Sequence, residues 1–192
     1  MATTTAAPSD EPELVRRASH GDSQAFRVLV ERYEGLVAAT VVSMLGPGTE
    51  AEDVGQEAFL RLYRALPRFR GDAKLSTYLT RIAMNLSINA LKKRQRQRQR
   101  FVSRDAHPEV QFEPSAPDPD AAEQAVLRPV IQRALGRLSP DFRAVVVLRL
   151  VKGYSTRETA ELLDIPLGTV LSRLSRAQRQ LRQHLAPYVE AS

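Results

Sequence analysis

Residues 101–126 constrain this chain more than any other stretch. They hold one basic residue, Arg104, against six acids: Asp105, Glu109, Glu113, Asp118, Asp120 and Glu123. Four prolines interrupt them (Pro108, Pro114, Pro117 and Pro119), and the apolar residues show almost no periodicity. Such a segment offers nothing to bury against the entropy of ordering, so it reads as an extended, solvated tether. Whatever lies on either side must build its own core. The 192 residues therefore divide into two small modules joined through this stretch, whose charge over 101–126 is 1 − 6 = −5. Both flanks are basic, with 16 basic against 11 acidic residues over 10–100 and 11 against 5 over 127–192. The boundaries expected are a disordered N-terminus at 1–9, a first module at 10–98, an acidic flexible linker at 99–120 and a second module at 121–192.

Both modules read as helical, and no segment alternates with period two for long enough to be a strand. Ser23 can cap a long helix carrying Phe26, Leu29, Val30, Tyr33, Leu36 and Val37, which stops near Gly46-Pro47-Gly48. Thr49-Glu-Ala-Glu52 has capping-box spacing and opens a helix striped by Phe59, Leu62, Tyr63 and Leu66, ended by Pro67. After a loop, Ser76 or Thr77 caps the next helix. Beyond the linker, helices are expected over 121–138, despite Pro129, and from Ser139-Pro140 to Gly153. Ser155-Thr-Arg-Glu158 is a second capping box, opening a helix over 156–163. The turn Asp164-Ile-Pro-Leu-Gly168 leads to a last helix over 169–185. Two short helices joined by so tight a turn form a helix-turn-helix. The expected fold is all-α.

Composition removes several function classes. Without cysteine there is no disulfide framework, thiolate nucleophile or Cys-ligated zinc. The three histidines, His20, His107 and His184, are far apart, which disfavours a His-based metal or catalytic cluster, and no metal or cofactor is expected. The N-terminus lacks the basic start and apolar run of a signal peptide. The most apolar runs, 36–45 and 144–151, fall short of the ~18 residues a membrane span needs. A soluble, cytoplasmic, basic protein is expected, and its net charge of +6 suits an anionic partner.

Two helical faces point to nucleic acid. On the last helix Leu167, Val170, Leu174, Ala177, Leu181 and Leu185 gather on one side, with Leu171 at its margin assigned to packing. Thr169, Ser172, Arg173, Arg176, Gln180 and Gln183 gather opposite, on a face able to enter a major groove, where Arg can grip guanine bidentately. The helix after the loop carries Tyr78, Arg81, Asn85, Asn89, Lys92 and Arg96 at spacings of three and four. Leu79, Ile82, Ala83, Leu86 and Ala90 fill the positions between and should be buried. An aromatic, two amides and three cations in one line suit a nucleic-acid backbone with a base stacked at one end. The adjoining loop, with Phe69, Arg70, Gly71, Asp72 and Lys74, can clasp an unstacked base. Asn85 and Asn89 also suit a half-buried amide pair satisfied within the protein. The run from Lys92 to Arg100 extends the stripe toward phosphates.

These residues resemble a known family. Ala51-Glu-Asp-Val-Gly-Gln-Glu-Ala-Phe-Leu60 is similar to the polymerase-binding segment of bacterial sigma factors. Leu66-Pro-Arg-Phe-Arg-Gly71 and Tyr78-Leu-Thr-Arg-Ile-Ala-Met-Asn-Leu86 are similar to their promoter-melting loop and helix. Leu138-Ser-Pro-Asp-Phe-Arg143 and the stretch from Tyr154 to Val170 resemble their carboxy-terminal DNA-reading domain. Two domains with a short linker resemble the extracytoplasmic-function (ECF) group. The resemblance implies a transcription initiation factor that performs no covalent chemistry. It implies that Asp53, Gln56 and Glu57 face core RNA polymerase. It also implies that Phe69, Arg70, Gly71, Asp72, Lys74, Tyr78, Arg81, Asn85, Asn89 and Lys92 serve the minus-ten element, and Thr169, Ser172, Arg173 and Arg176 the minus-thirty-five element. Implied partners are core polymerase, promoter DNA as duplex and as non-template single strand, and an anti-sigma protein, with no membrane insertion. The linker would lie in the polymerase cleft. Tyr78 stands where the family usually has Trp, Asn89 replaces a frequent Asp, Leu171 a frequent Lys, and Gly55 sits inside the polymerase-binding helix.

Two rivals account for less. A self-sufficient helix-turn-helix regulator leaves the first module's polar stripe without a task. A metal-dependent nuclease would need a third ordered ligand beside Asp53 and Glu57.

Overall fold

A computed structural model describes residues 11–71, 73–101 and 121–189. Among them every regular element is a helix: α1 (Glu11–Ser19), α2 (Ser23–Leu45), α3 (Thr49–Ala65) with a 3-10 turn at Leu66–Arg68, α4 (Leu75–Phe101), α5 (Ala121–Gly136), α6 (Pro140–Val146) running on as a π-helical stretch at Val147–Val151, α7 (Thr156–Leu163) and α8 (Leu167–Val189). The acidic tether expected over 99–120 lies outside the described residues from 102 onward, as does the expected disordered start. Residues 99–101 continue α4.

Helix ends are set by short-range chemistry, not always by the residue the pattern suggests. Asp22, not Ser23, caps α2: its carboxylate accepts from the backbone N–H of Gln24 at 2.9 Å and Ala25 at 3.0 Å. The Ala25 bond and then the Arg17 guanidinium hold this carboxyl below the usual carboxylate range. Ser23 is thereby the first residue inside the helix. The expected box at Thr49 does not form. Gly48, at φ 130°, takes the cap position with no side-chain bond, and in the first turn of α3 Glu50 pairs with Arg94 of α4. Leu75 opens α4, so Ser76 and Thr77, each expected as its cap, lie inside the helix, with the Lys74 carbonyl accepting from Tyr78 N–H at 3.1 Å. The box at Ser155 forms in both directions, 3.1 Å from Glu158 N–H to Ser155 Oγ and 2.7 Å from Ser155 N–H to Glu158. α7 accordingly spans the expected residues.

Burial follows the apolar stripes of α1–α4. Leu29, Val37, Val41 and Met44 of α2 pack with Leu62 of α3, Leu66, and Leu75, Leu79, Ala83 and Met84 of α4, all essentially without solvent exposure. Tyr63, expected in this stripe, is largely exposed, although its ring meets Phe26 edge-on at 4.9 Å. Leu135, Leu138, Val146 and Ala177 form a smaller cluster in the second module. The larger core does not stop at the first module. Ala144, Val147, Leu148 and Leu162 belong to it, so α6, the π-helical stretch and α7 close against α2 and α4.

The π-helical stretch departs from the single helix expected up to Gly153. Lys152 N–H bonds to Val147 O at 2.8 Å, five residues back, and Tyr154 N–H reaches Leu148 O at 3.0 Å. The wider turn rotates Leu150 and Val151 outward, and both are exposed.

Gly55 lies in the middle of α3, and a Cβ there would meet only Val37 Cγ1 at 3.9 Å, ordinary contact. Glycine inside a helix costs about 1 kcal/mol relative to alanine. Gly55→Ala should therefore raise unfolding stability by up to about 1 kcal/mol, measured as a higher urea midpoint at unchanged slope. A lower midpoint would show that α2 and α3 pack too tightly for the methyl.

Candidate nucleic-acid interface

The first candidate surface begins where α3 ends. Arg61 and Arg64 project from the last turns of α3, Arg68 from the 3-10 turn, and Arg70 from the loop. They ring an open cleft of about 530 Å³ whose floor is apolar, with Phe69 and Tyr78 against each other at 5.3 Å between ring centres, tilted by 55°. That volume lies within the range of small-ligand pockets. Gly71 has φ 75°, a left-handed conformation that side chains resist, and it turns the loop back toward Tyr78. Asp72 lies outside the described residues. Phe69 and Tyr78 are half-buried and Arg70 and Lys74 exposed, so apolar ring surface lies beside exposed cations. Sequence reasoning named Arg70 alone of the four arginines. Arg61, Arg64 and Arg68 recur at three and four residues, a spacing that places them on one side once the 3-10 turn continues the helix.

From this cleft the stripe of α4 runs outward. Arg81, Asn85, Asn89 and Arg96 are exposed, while Tyr78 and Lys92 are half-buried. Leu79 and Ala83 on the opposite face have no exposure and Leu86 little, whereas Ile82 and Ala90 are half-buried. Asn85 and Asn89 are thus not the half-buried amide pair also considered above. Lys92 Nζ lies 3.0 Å from Asp141 Oδ1 of α6.

On α3, Asp53 and Gln56 are exposed, and Glu57 is held by Arg61 at 2.9 Å. Leu60 continues the same line one turn on and is half-exposed, an apolar member that the acid-based reading passed over.

The second candidate surface is α8. It begins at Leu167, two residues before the expected start, because the Pro166 carbonyl accepts from both Thr169 N–H (2.9 Å) and Val170 N–H (3.2 Å). Ahead of it Asp164 closes α7 in the left-handed conformation, φ 53°. Val170 and Ala177 are fully buried and Leu174, Leu181 and Leu185 half-buried, as the stripe demands. Leu167 and Leu171 are not: they are 48% and 50% exposed. Leu167 and Leu171 lie one turn apart on the flank of the line through Val170 and Ala177, so both leucines leave the apolar side and correct the assignment made from spacing. Ser172 and Arg176 are exposed and Thr169 is half-buried. Arg173 is partly covered, with Nη2 3.8 Å from Asp141 Oδ2.

Arg143 is the least exposed cation among the described residues, at 7%. Its Nη1 donates to Met44 O at 2.6 Å, one of the last carbonyls of α2, while Nε is buried without a partner. Burial, then the nearby Arg94 and Arg98, pulls its pKa down to about 10.

With this geometry in place, comparison with known families is decisive. The family described as Sigma-70 region 2 matches residues 29–97, and that described as Sigma-70, region 4 matches 128–181. The chain is 34% identical over 182 residues to the RNA polymerase sigma-H factor of Pseudomonas aeruginosa, covering 92% of this chain and 94% of that protein. It is 36% identical over 186 residues to the ECF RNA polymerase sigma-E factor of Escherichia coli, with the same coverage. Among solved structures, CnrH in complex with the cytosolic domain of CnrY is similar at a TM-score of 0.62 and 26% identity, covering 92% of this chain and 97% of that one. The sigma factor RpoE of Bartonella quintana, solved with the anti-sigma factor NepR, shares the fold at a TM-score of 0.64 and 24% identity, covering 84% and 96%. The protein belongs to the sigma-70 family of transcription initiation factors, and within that family it is a sigma factor of the ECF group. No described helix is long and apolar enough to cross a membrane.

Since Leu171 packs on little, Leu171→Lys should change unfolding stability by no more than about 0.5 kcal/mol, as surface substitutions do. A urea midpoint shifted by well over that would mean the side chain is needed for packing after all.

Proposed function

We propose that the aromatic cleft and the α4 stripe capture and track the non-template strand of the minus-ten element, and that α8 reads the minus-thirty-five element. The observation that carries this reading is the continuity of the first surface. A cleft with an aromatic floor and an arginine rim shares Tyr78 with the α4 stripe, and its Arg61 also lines the groove that holds the exposed amides Asn85 and Asn89. A base stacked over Phe69 and Tyr78 would leave its phosphates within reach of Arg64, Arg68 and Arg70, in addition to Lys74, Arg81 and Lys92. On α8, Thr169, Ser172, Arg173 and Arg176 would meet base edges and phosphates, the arginines being able to grip guanine in two places.

Energy sets the division of labour. Extruding a base costs a few kcal/mol, and a stacking contact returns about 1–3 kcal/mol. One chain therefore holds strands open without melting duplex alone. Core polymerase supplies the rest, docking on the α3 line of Asp53, Gln56, Glu57 and Leu60, where acid and exposed apolar surface alternate. The polymerase performs the synthesis. The sigma chain contributes position and charge, not a covalent step, and works in the cytoplasm beside the DNA. A regulatory protein partner of the anti-sigma kind fits the same reading, because the similar CnrH was solved with a bound partner. A stand-alone regulator would use α8 but leave the cleft and the α3 line idle.

In vitro initiation with core polymerase on a promoter library tests this. Arg173→Ala and Asn85→Ala should each lower initiation about tenfold or more, and Asp53→Ala should lower retention by core. The free chain should bind promoter duplex weakly. Tight, sequence-specific duplex binding without core would overturn the reading in favour of a regulator.

A further inference from the structure

The solvent side of α8 is a different arc from the one its spacing suggests. Thr169 and Arg173 are half-covered, whereas Leu171, Ser172, Ser175 and Arg176 are exposed. At about 100° per residue these four fall across the helix in the order Leu171, Ser175, Ser172, Arg176. The arc is therefore apolar at one edge and cationic at the other. Leu167, one turn before Leu171, extends the apolar edge, and the two leucines are 48% and 50% exposed. Together they leave apolar surface in water that a partner would gain by covering. The charge of the helix says what kind of partner. From Leu167 to Val189 it carries four arginines and no acid, which suits an anionic one. Gly168 lies in the middle of the same arc. It is exposed, its φ is not positive and a Cβ there would meet nothing within 4 Å, so the fold itself does not require glycine. A glycine here suits a backbone approached closely from outside.

We infer that Leu171, backed by Leu167, is a specificity-determining residue that reads the C5-methyl group of thymine, so that the minus-thirty-five element of this protein holds a thymine close to the base pair contacted by Arg176. This deepens, and rests on, the assignment of α8 to that element. Thymine alone among the four bases shows an apolar group in the major groove, and apolar side chains read it by contact. Leucine has no hydrogen bond to offer. At this edge it favours the methyl by burying it and disfavours other bases by desolvating their polar groups without a partner. The spacing suits the duplex. Leu167 and Leu171 lie about 6 Å apart along the helix axis, and Leu171 and Arg176 about 7.5 Å. Base pairs stack about 3.4 Å apart, so each interval covers roughly two pairs. Ser172 and Ser175, between the two edges, are short enough for both edges to reach the bases. A protein surface would also cover two leucines, but a helix without acids and a bare glycine beside them favour a polyanion pressed against the backbone.

The test removes the methyl and nothing else. The unsubstituted chain with core polymerase first selects its preferred promoter from a library. Each thymine of the minus-thirty-five element, on either strand, is then replaced singly by deoxyuridine, and open-complex formation is measured. At one or two positions the replacement should lower it about three- to fivefold, the worth of one buried methyl. Leu171→Ala should abolish that sensitivity at one position and Leu167→Ala weaken it at the other, whereas Leu171→Met, still apolar, should keep it. Retention by core and the urea midpoint of Leu171→Ala should stay unchanged. An element selected without thymine, no sensitive thymine, or sensitivity that survives both alanine variants would each overturn the inference. Lower retention by core in Leu171→Ala with methyl sensitivity intact would overturn it too, and would give the apolar edge to a protein surface. Arg176→Ala separates this inference from the reading beneath it. If that variant lowers initiation while deoxyuridine has no effect, the thymine contact alone falls; if neither has an effect, the assignment of α8 falls with it.

Discussion

The structure depends on the division of α4 into two faces. Leu75, Leu79, Ala83 and Met84 have essentially no exposure and fix the helix to α2 and α3. Because side chains three and four apart share a face, burying these residues necessarily presents Arg81, Asn85, Asn89 and Arg96 to the other side. The polar stripe is therefore held rigid by the core beneath it. A loop could carry the same side chains but would lose affinity ordering them on each encounter. The aromatic cleft inherits the same rigidity, since Tyr78 rises from the first turn of α4 and Phe69 leans against it.

Much of this was legible in the sequence, and the misses have common causes. The helical faces of α4 and of the middle of α8 follow from spacing, which reports burial when a helix packs along its whole length. Leu167 and Leu171 fail because the neighbours of α8 cover only the narrow line of Val170 and Ala177 and stop short of its flank, a tertiary fact invisible to periodicity. Caps are decided by competition between adjacent acceptors. Asp22, steadied by Arg17, outcompetes Ser23, whereas at Ser155 a reciprocal Glu158 makes the local pattern sufficient. The π-helical turn at Val147–Val151 leaves no mark in a run of β-branched and leucine residues. Arg68 joins Arg61 and Arg64 at the cleft because a 3-10 turn carries the line of α3 past Pro67.

Charge tells a parallel story. Counting along the chain separates basic modules from an acidic tether, but it gives no weight to single acids inside a basic module. Asp141 is such a residue: at the start of α6 it suits the positive end of the helix, an adequate local reason for its presence. Only the folded chain brings it between Lys92 and Arg173.

Arg143 gives the seam between the modules a particular character. A guanidinium sealed beneath two modules, bonded to the Met44 carbonyl and facing no counter-ion among the described residues, sits there at the expense of its hydration. Parting the modules returns that hydration, which offsets part of the apolar surface exposed at the same moment. An oily residue of similar length would make the joint firmer and slower to release. The arginine thus makes the joint a clasp rather than a weld.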